Sequence, residues 1–396
     1  MILLSHPTVN AFNRELAEAL QHAGRLSTFH TTLAWGRRNV AIPRERIRMH
    51  PYREAIRLLA LRLGIHALTR HEHGLASVDA VYRAFDAAVA RRLDDVEAVY
   101  AYEDGALATF QAAQTRGLRR FYELPIAYYP TVQRLLAEEA ERLPQWTATL
   151  GAPSDSKEKL ARKTEELSLA NLVICPSRFV QASLPLGTRS IVAEFGSPPQ
   201  VGHELARRGN GGPLRLLFAG ALTQRKGLAD VFAAMHLLGR KDVELVVMGR
   251  PLVPLEFYRK EWPHFIHEPP RPHGEVLSLM DTCDALVLPS IVEGRALVQQ
   301  EALSRGLPLL VTANAGGEDL VEPGITGWLV PIRDPAALAG RIAWLADHRD
   351  VLPEMRRAAR RKAATVTWSE YTRKILAALE RKEPENVGGL PAASLA

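Results

Sequence analysis

The sequence predicts an α/β protein made of two doubly wound, parallel-sheet domains in tandem. Three observations carry this prediction. Short apolar runs alternate with longer helical patterns through the first half, a glycine- and proline-rich stretch interrupts them near the middle, and the alternation then restarts more regularly. A length of 396 residues suits two domains of ~100–200 residues each. The composition, 47% apolar and 24% charged, is that of a globular chain with material for two cores.

In the first half the apolar runs at 1–5, 28–33, 96–102, 119–123, 172–176 and 190–193 read as strands. Helical patterns fill the gaps at 13–23, 52–63, 78–93, 107–116, 132–143 and 155–170. Gly196-Ser197-Pro198-Pro199 and Gly209-Asn210-Gly211-Gly212-Pro213 then mark a linker over 196–213. Beyond it, strands are expected at 214–219, 243–248, 264–267, 285–288, 307–311 and 327–330. Their helices are expected at 227–238, 274–280, 297–305, 335–346, 352–364 and 369–382. The layout is therefore a domain at 1–195, a linker, a domain at 214–366, a closing helix at 367–382 and a disordered tail at 383–396. In such sheets ligands bind beyond the carboxyl ends of the strands, so the loops after strands are where chemistry belongs.

Charge and cysteine content narrow the partners. The net charge is +6 with an isoelectric point near 9.4. That favours an anionic partner such as a phosphorylated substrate or a lipid headgroup. The excess is uneven. Eight arginines (Arg37, Arg38, Arg44, Arg46, Arg48, Arg53, Arg57 and Arg62) are interleaved with Ile56, Leu58, Leu59, Leu61 and Leu63. The segment Arg37–Arg62 fits either an interfacial helix on an anionic membrane or a solvated helix whose other face packs on the domain. Beyond net charge nothing supports nucleic-acid binding. Cys175 and Cys283 sit in apolar runs and read as buried free thiols. The N-terminus lacks a signal-peptide pattern, and no apolar stretch is long enough to span a bilayer. The expected location is the cytoplasm, with peripheral contact at the inner face of the membrane.

Two motifs carry chemistry. In Gly220-Ala221-Leu222-Thr223-Gln224-Arg225-Lys226-Gly227 a strand ends in glycine and an Arg-Lys pair opens a helix. Two cations at a helix N-terminus oppose the dipole unless an anion is bound, which points to a phosphate loop. In Glu293-Gly294-Arg295-Ala296-Leu297-Val298-Gln299-Gln300-Glu301 one glutamate lies in the loop after a strand and the other eight positions later. At 3.6 residues per turn this puts Glu301 on the side of the helix entry. A carboxylate there suits a vicinal diol such as ribose, while the amides around Gly294–Leu297 suit phosphate. His71-x-His73 is a weak metal motif, with two ligands and no third nearby.

The run from Asp284 through Ile342 resembles the C-terminal domain of retaining glycosyltransferases of family 4, whose two facing Rossmann-like domains form the GT-B fold. That family carries a Glu-x7-Glu signature after a Pro-Ser strand, then Glu-Ala and Gly-Gly-x-x-Glu segments, and all stand here in order. The resemblance implies that Lys226 and Arg225 neutralise a donor diphosphate and that Glu293 contacts the donor sugar. It implies that Glu301 holds the ribose hydroxyls, with Gly220, Gly294, Arg295, Ala296, Leu297, Arg271 and His273 also around the donor. The final helix would cross back to the first domain. The implied reaction moves a sugar from a nucleoside-diphosphate-sugar to a carbohydrate or lipid-linked acceptor, with no cofactor and no metal, as in envelope polysaccharide or glycolipid assembly. A sugar-nucleotide epimerase or a non-catalytic nucleotide-sugar binder on the same frame are the alternatives. A dehydrogenase is disfavoured, because no Gly-x-Gly-x-x-Gly follows the first strand of either half.

This chain departs from the family in places. Ala221 stands where many members have arginine, so Arg225 is expected to compensate. Arg295 replaces the usual phenylalanine after Glu-Gly and becomes a candidate for a phosphate or acidic acceptor. Glu123 stands where many relatives have a histidine. Glu123 and Glu103, at strand ends, and His6 and Asn10, after the first strand, are the candidate acceptor or sugar contacts.

Overall fold

The computed structural model describes residues 1–34, 40–151, 155–199 and 212–381. Two all-parallel sheets organise the chain. The first has seven strands: β1 (Ile2–Ser5), β2 (Leu26–Thr31), β3 (Ile47–Met49), β4 (Ala98–Tyr102), β5 (Arg119–Glu123), β6 (Leu172–Cys175) and β7 (Ser190–Val192), in the order β3-β2-β1-β4-β5-β6-β7. The second has six: β8 (Leu214–Ala219), β9 (Val243–Met248), β10 (Phe265–Glu268), β11 (Ala285–Leu288), β12 (Leu309–Val311) and β13 (Gly327–Leu329), in the order β10-β9-β8-β11-β12-β13. In each sheet the order reverses beside the first strand, between β1 and β4 and between β8 and β11. A crevice opens at such a point.

The strands follow from composition. Runs such as Leu-Val-Ile-Cys and Ala-Leu-Val-Leu are apolar on both faces, as strands covered by helices on both sides must be. Alternate residues of the first sheet feed different cores. Leu4, Phe29, Tyr100, Phe121 and Ile174 face one cluster; Leu3, Val99, Tyr122, Val173 and Cys175 face another. Helix starts are fixed by side-chain caps: Ser77, Ser156, Ser177, Asp334 and Thr367 each accept an amide of the first turn.

The expected strands form within a residue or two of their anticipated ends. β3 is an addition to them, a three-residue strand inside the arginine-rich stretch. The closing helix, Trp368–Glu380, does cross back: Tyr371, Ile375 and Leu379 complete the core of the first sheet with Ile2, Leu16 and Leu20. A second crossing runs the other way. Pro144–Thr149 belongs by sequence to the first half, yet Trp146 is buried in the core of the second sheet against Phe232, Phe257 and Tyr258. Most of the linker (residues 200–211), the tail from 382 onward, and Arg37 and Arg38 lie outside the described residues. Both cysteines are buried and free.

Candidate donor site

The loops after β8 and β11 flank the switch point of the second sheet, and the two motifs meet there. After β8 the chain turns through Gly220, whose φ is +143°. The Lys226 stem passes so close that a Cβ on Gly220 would lie 2.9 Å from its Cδ. Only glycine serves both demands at this position. Gln224–Lys226 form a single 3-10 turn capped by Thr223, whose hydroxyl accepts the Arg225 amide at 3.1 Å. The main chain of that turn is tied to the neighbouring loop, because the Ile291 amide donates to the Arg225 carbonyl at 2.9 Å.

Both cations of the turn converge on one oxygen of Glu293. Lys226 Nζ is 2.7 Å and Arg225 Nη1 2.8 Å from Glu293 Oε1. Burial disfavours the Glu293 charge, but Lys226 and Arg225 outweigh it and hold the carboxyl below its usual pKa. The result is a cluster of two positive charges and one negative, little exposed, with net charge to offer an anion.

Glu301 lies in the helix Val298–Ser304 and bonds His273 Nε2 at 3.0 Å. Burial raises its pKa while His273 acts the other way. Arg271 is paired with Glu268, at the end of β10. His273, Arg271 and Glu301 thus gather on the β10 side of the crevice, on the second sheet that also carries the cation cluster.

Gly294 is where the two domains touch. Its carbonyl accepts Ser177 Oγ at 2.6 Å, and a Cβ on it would lie 1.6 Å from the Pro125 carbonyl oxygen. Leu297 packs against the core of the first sheet, and Gln300 Nε2 donates to the Phe195 carbonyl at 3.1 Å. The Ala296 amide donates to the Ala315 carbonyl at 3.2 Å. That amide is therefore engaged within the fold, contrary to the expectation that it faces phosphate.

Arg295 needs correction as well. Its side chain is fully buried, with Nη1 2.7 Å and Nη2 3.0 Å from the Asp319 carboxylate and a further bond to the Gly316 carbonyl. It clamps the loop after β12, and both of its terminal nitrogens are engaged there.

The candidate contacts of the first domain are also internal. Glu123 is buried, accepts Tyr371 Oη at 3.2 Å and is pushed by burial to a pKa of about 8, against the Tyr371 bond. It faces the closing helix, not the cleft. Glu103 pairs with Lys163 at 2.9 Å in a network that includes Asp104, Asp79, Lys159 and Asp155. His71 joins that network 3.3 Å from an Asp155 oxygen that Lys159 already holds at 2.9 Å. His6 is buried between Phe12 and Tyr102, accepts the Thr8 amide at 3.1 Å, and is driven by burial to a pKa of about 3. Asn10 caps the helix Ala11–His22 through the Asn13 amide. All four are engaged by other groups of the chain. What the sequence reading missed is Gln224, Glu139 and Thr149, which brace the Arg-Lys turn from beneath; Gln-Arg-Lys showed the cations and not their support.

Residues 206–365 match the family described as Glycosyl transferases group 1. The WcaL glycosyltransferase of Salmonella typhimurium, named for colanic acid biosynthesis, is 33% identical over 174 residues, 39% of this chain and 41% of that protein. Glycogen synthase of Mycobacterium tuberculosis is 32% identical over 204 residues, 47% of this chain and 48% of that protein. The chain spans about two fifths to half the length of these curated relatives. Among solved structures, sucrose-phosphate synthase from Thermosynechococcus elongatus superposes with a TM-score of 0.68 at 17% identity, over 96% of this chain and 98% of that one. WaaG, a glycosyltransferase involved in lipopolysaccharide biosynthesis, gives 0.63 at 16%, over 96% and 100%. HepE of Anabaena, solved with UDP and glucose, gives 0.62 at 14%, over 96% and 98%. These neighbours share the two-domain GT-B fold seen here.

Proposed function

We propose that this chain, whose second domain belongs to the group 1 glycosyltransferases, moves a sugar from a nucleoside-diphosphate-sugar to an acceptor with retention of anomeric configuration. The observation that carries this reading is the convergence of Lys226 and Arg225 on Glu293 at the switch point between β8 and β11. Departure of a nucleoside diphosphate from an anomeric carbon builds negative charge on the diphosphate and an oxocarbenium-like centre on the sugar. Preorganised cations aimed at that charge are the main catalytic lever. Lys226 and Arg225 receive the diphosphate, Glu293 lies beside the sugar, and Glu301 takes the ribose hydroxyls. The departing phosphate accepts the acceptor's proton, so no side-chain nucleophile is required. The cations already provide neutralisation, and the proposed mechanism uses no metal. Relatives named for polysaccharide biosynthesis support an acceptor in envelope polysaccharide or glycolipid assembly.

Thermal shift against a panel of nucleoside diphosphates and nucleotide sugars tests the donor, since a ligand raises apparent stability by mass action. Stabilisation by at least one is expected; no response across the panel contradicts the reading. Product analysis with and without acceptor separates transfer from epimerisation.

The acceptor surface is proposed to rest on an anionic membrane. The helix Tyr52–Arg62 is inverted: Glu54 and Ala60 are buried, and Glu54 binds Arg57 at 2.7 Å. Tyr52, Ile56 and Leu59, spaced along one stripe with Leu63 just beyond, are 84%, 52%, 56% and 62% exposed. Such a stripe flanked by arginines suits the headgroup boundary of acidic lipid. No helix among the described residues is long and apolar enough to cross a membrane. Co-sedimentation with phosphatidylglycerol vesicles but not phosphatidylcholine vesicles is expected, and Ile56→Asp with Leu59→Asp should abolish it. Equal binding by the altered and unaltered chains would contradict the docking face.

A further inference from the structure

Beneath the Arg-Lys turn lies a buried polar network that the reaction as proposed above does not use. Gln224 is wholly buried, and each end of its amide is committed. Its Nε2 donates to Glu139 Oε1 at 2.7 Å and to Asp230 Oδ2 at 2.9 Å, and its Oε1 accepts the Ala229 amide at 2.7 Å. Glu139 comes from the helix Tyr129–Arg142, in the first half of the chain, and its carboxylate has no exposure. Arg333, which follows β13 in the second domain, reaches it from the other side: Nε is 2.8 Å from Glu139 Oε2. Arg333 holds this position with a φ of +61°, strained for a residue with a side chain. Arg142 bridges the same Glu139 and Asp230.

The helix that carries Glu139 is anchored at both ends. Just before its start, the Tyr128 amide donates to Ser183 Oγ at 2.7 Å, in the first domain. Past its end, Trp146 is sunk in the second core, and Thr149 Oγ1 accepts the Gln224 amide at 3.0 Å. The helix is a strut from the first domain to the underside of Gln224-Arg225-Lys226. A buried carboxylate with three partners is costly to bring out of water unless each partner stays in place. Any shift of the strut therefore reaches Gln224, and through it the two cations next in sequence.

We propose that Glu139 is a positioning residue for the phosphate loop: through Gln224 it sets the placement of Arg225 and Lys226, and it makes that placement depend on the register of the two domains. The inference rests on the donor reading given above. Its ligand-free consequence concerns only the loop, which allows the two to fail separately.

The test uses the full chain with Glu139→Ala, Gln224→Met and the double variant. Gln224→Met keeps the volume and removes the amide, so it guards against simple failure to fold. Glu138→Ala is the control, since Glu138 also meets Arg333 but does not touch Gln224. Hydrogen exchange of residues 220–227 is measured without ligand, and binding of UDP, GDP and ADP by calorimetry. Faster exchange in both single variants is expected, with a tenfold or greater loss of affinity for whichever nucleotide binds. The double variant should lose less than the sum of the two single losses, because the Glu139–Gln224 bond is cut in each. Glu138→Ala should match the unaltered chain. Unchanged loop exchange and affinity in folded Glu139→Ala and Gln224→Met would overturn the proposal. If no nucleotide binds the unaltered chain but loop exchange still rises, the donor reading fails while the strut stands.

Discussion

At the scale of single residues, the sequence picked out three groups that the structure joins, Lys226, Arg225 and Glu293, and misjudged the ones that merely follow a strand. Lys226 and Arg225 were legible because cations at a helix start break a local rule, and such breaks gather at functional sites. Glu293 was legible through its place after a strand, eight positions before Glu301, and through the family resemblance. Position after a strand says nothing about which way a side chain turns. Glu123, Glu103 and His6 turn inward, where they meet Tyr371, Lys163 and the Thr8 amide. Arg295 is the sharpest case, since its place in the signature suggested a ligand contact and its side chain instead holds Asp319. Arg295→Ala should cost stability, up to ~3 kcal/mol, the low end for breaking a buried pair because Asp319 keeps some water contact. Nucleotide affinity of the folded variant should change little. Thermal melts and calorimetry on one preparation check both, and lost affinity with unchanged stability would restore the ligand role.

At the scale of elements, strands were read well because runs buried on both faces are unambiguous. β3 escaped because Ile-Arg-Met is short and lies among arginines. Pro144–Thr149 escaped because its burial depends on partners more than seventy residues away. The closing helix covers Glu123, and burial of that carboxyl, against the Tyr371 bond, contributes a pH dependence. The Glu123 pKa rises from 4.5 unfolded to about 8 folded. The folded state therefore binds more protons between those values, so the group's contribution is fully present below the lower one and is lost as pH rises through the upper. Glu166 is raised by burial in the same way, and His6 and His30 are lowered, which acts oppositely, so the readout is the difference between two proteins. Across melts from pH 5 to pH 9, Glu123→Gln should lose less stability with rising pH than the unaltered chain. An unchanged slope in the variant would exclude Glu123 as its source.

At the scale of the whole molecule, two crossings stitch the domains together: the closing helix onto the first sheet and Trp146 into the second. Between them Gly294 meets Pro125 with no room for a methyl group. Gly294→Ala should hold the domains apart, increasing the radius of gyration in solution scattering. It should lower nucleotide binding as well as transfer, since Glu139 and Thr149 of the first half brace the turn that carries both cations. Unaltered scattering and transfer would mean that this contact is not part of the working arrangement.

The central claim is that Arg225 and Lys226, gathered on Glu293, receive a nucleoside diphosphate. Calorimetric titration of Lys226→Ala with the nucleoside diphosphate that binds the unaltered chain addresses it most directly. A charge-assisted bond of ~1.5–3 kcal/mol predicts an affinity about 10- to 150-fold weaker in a variant that melts normally. Equal affinity in the two proteins would place the phosphate elsewhere and contradict the account.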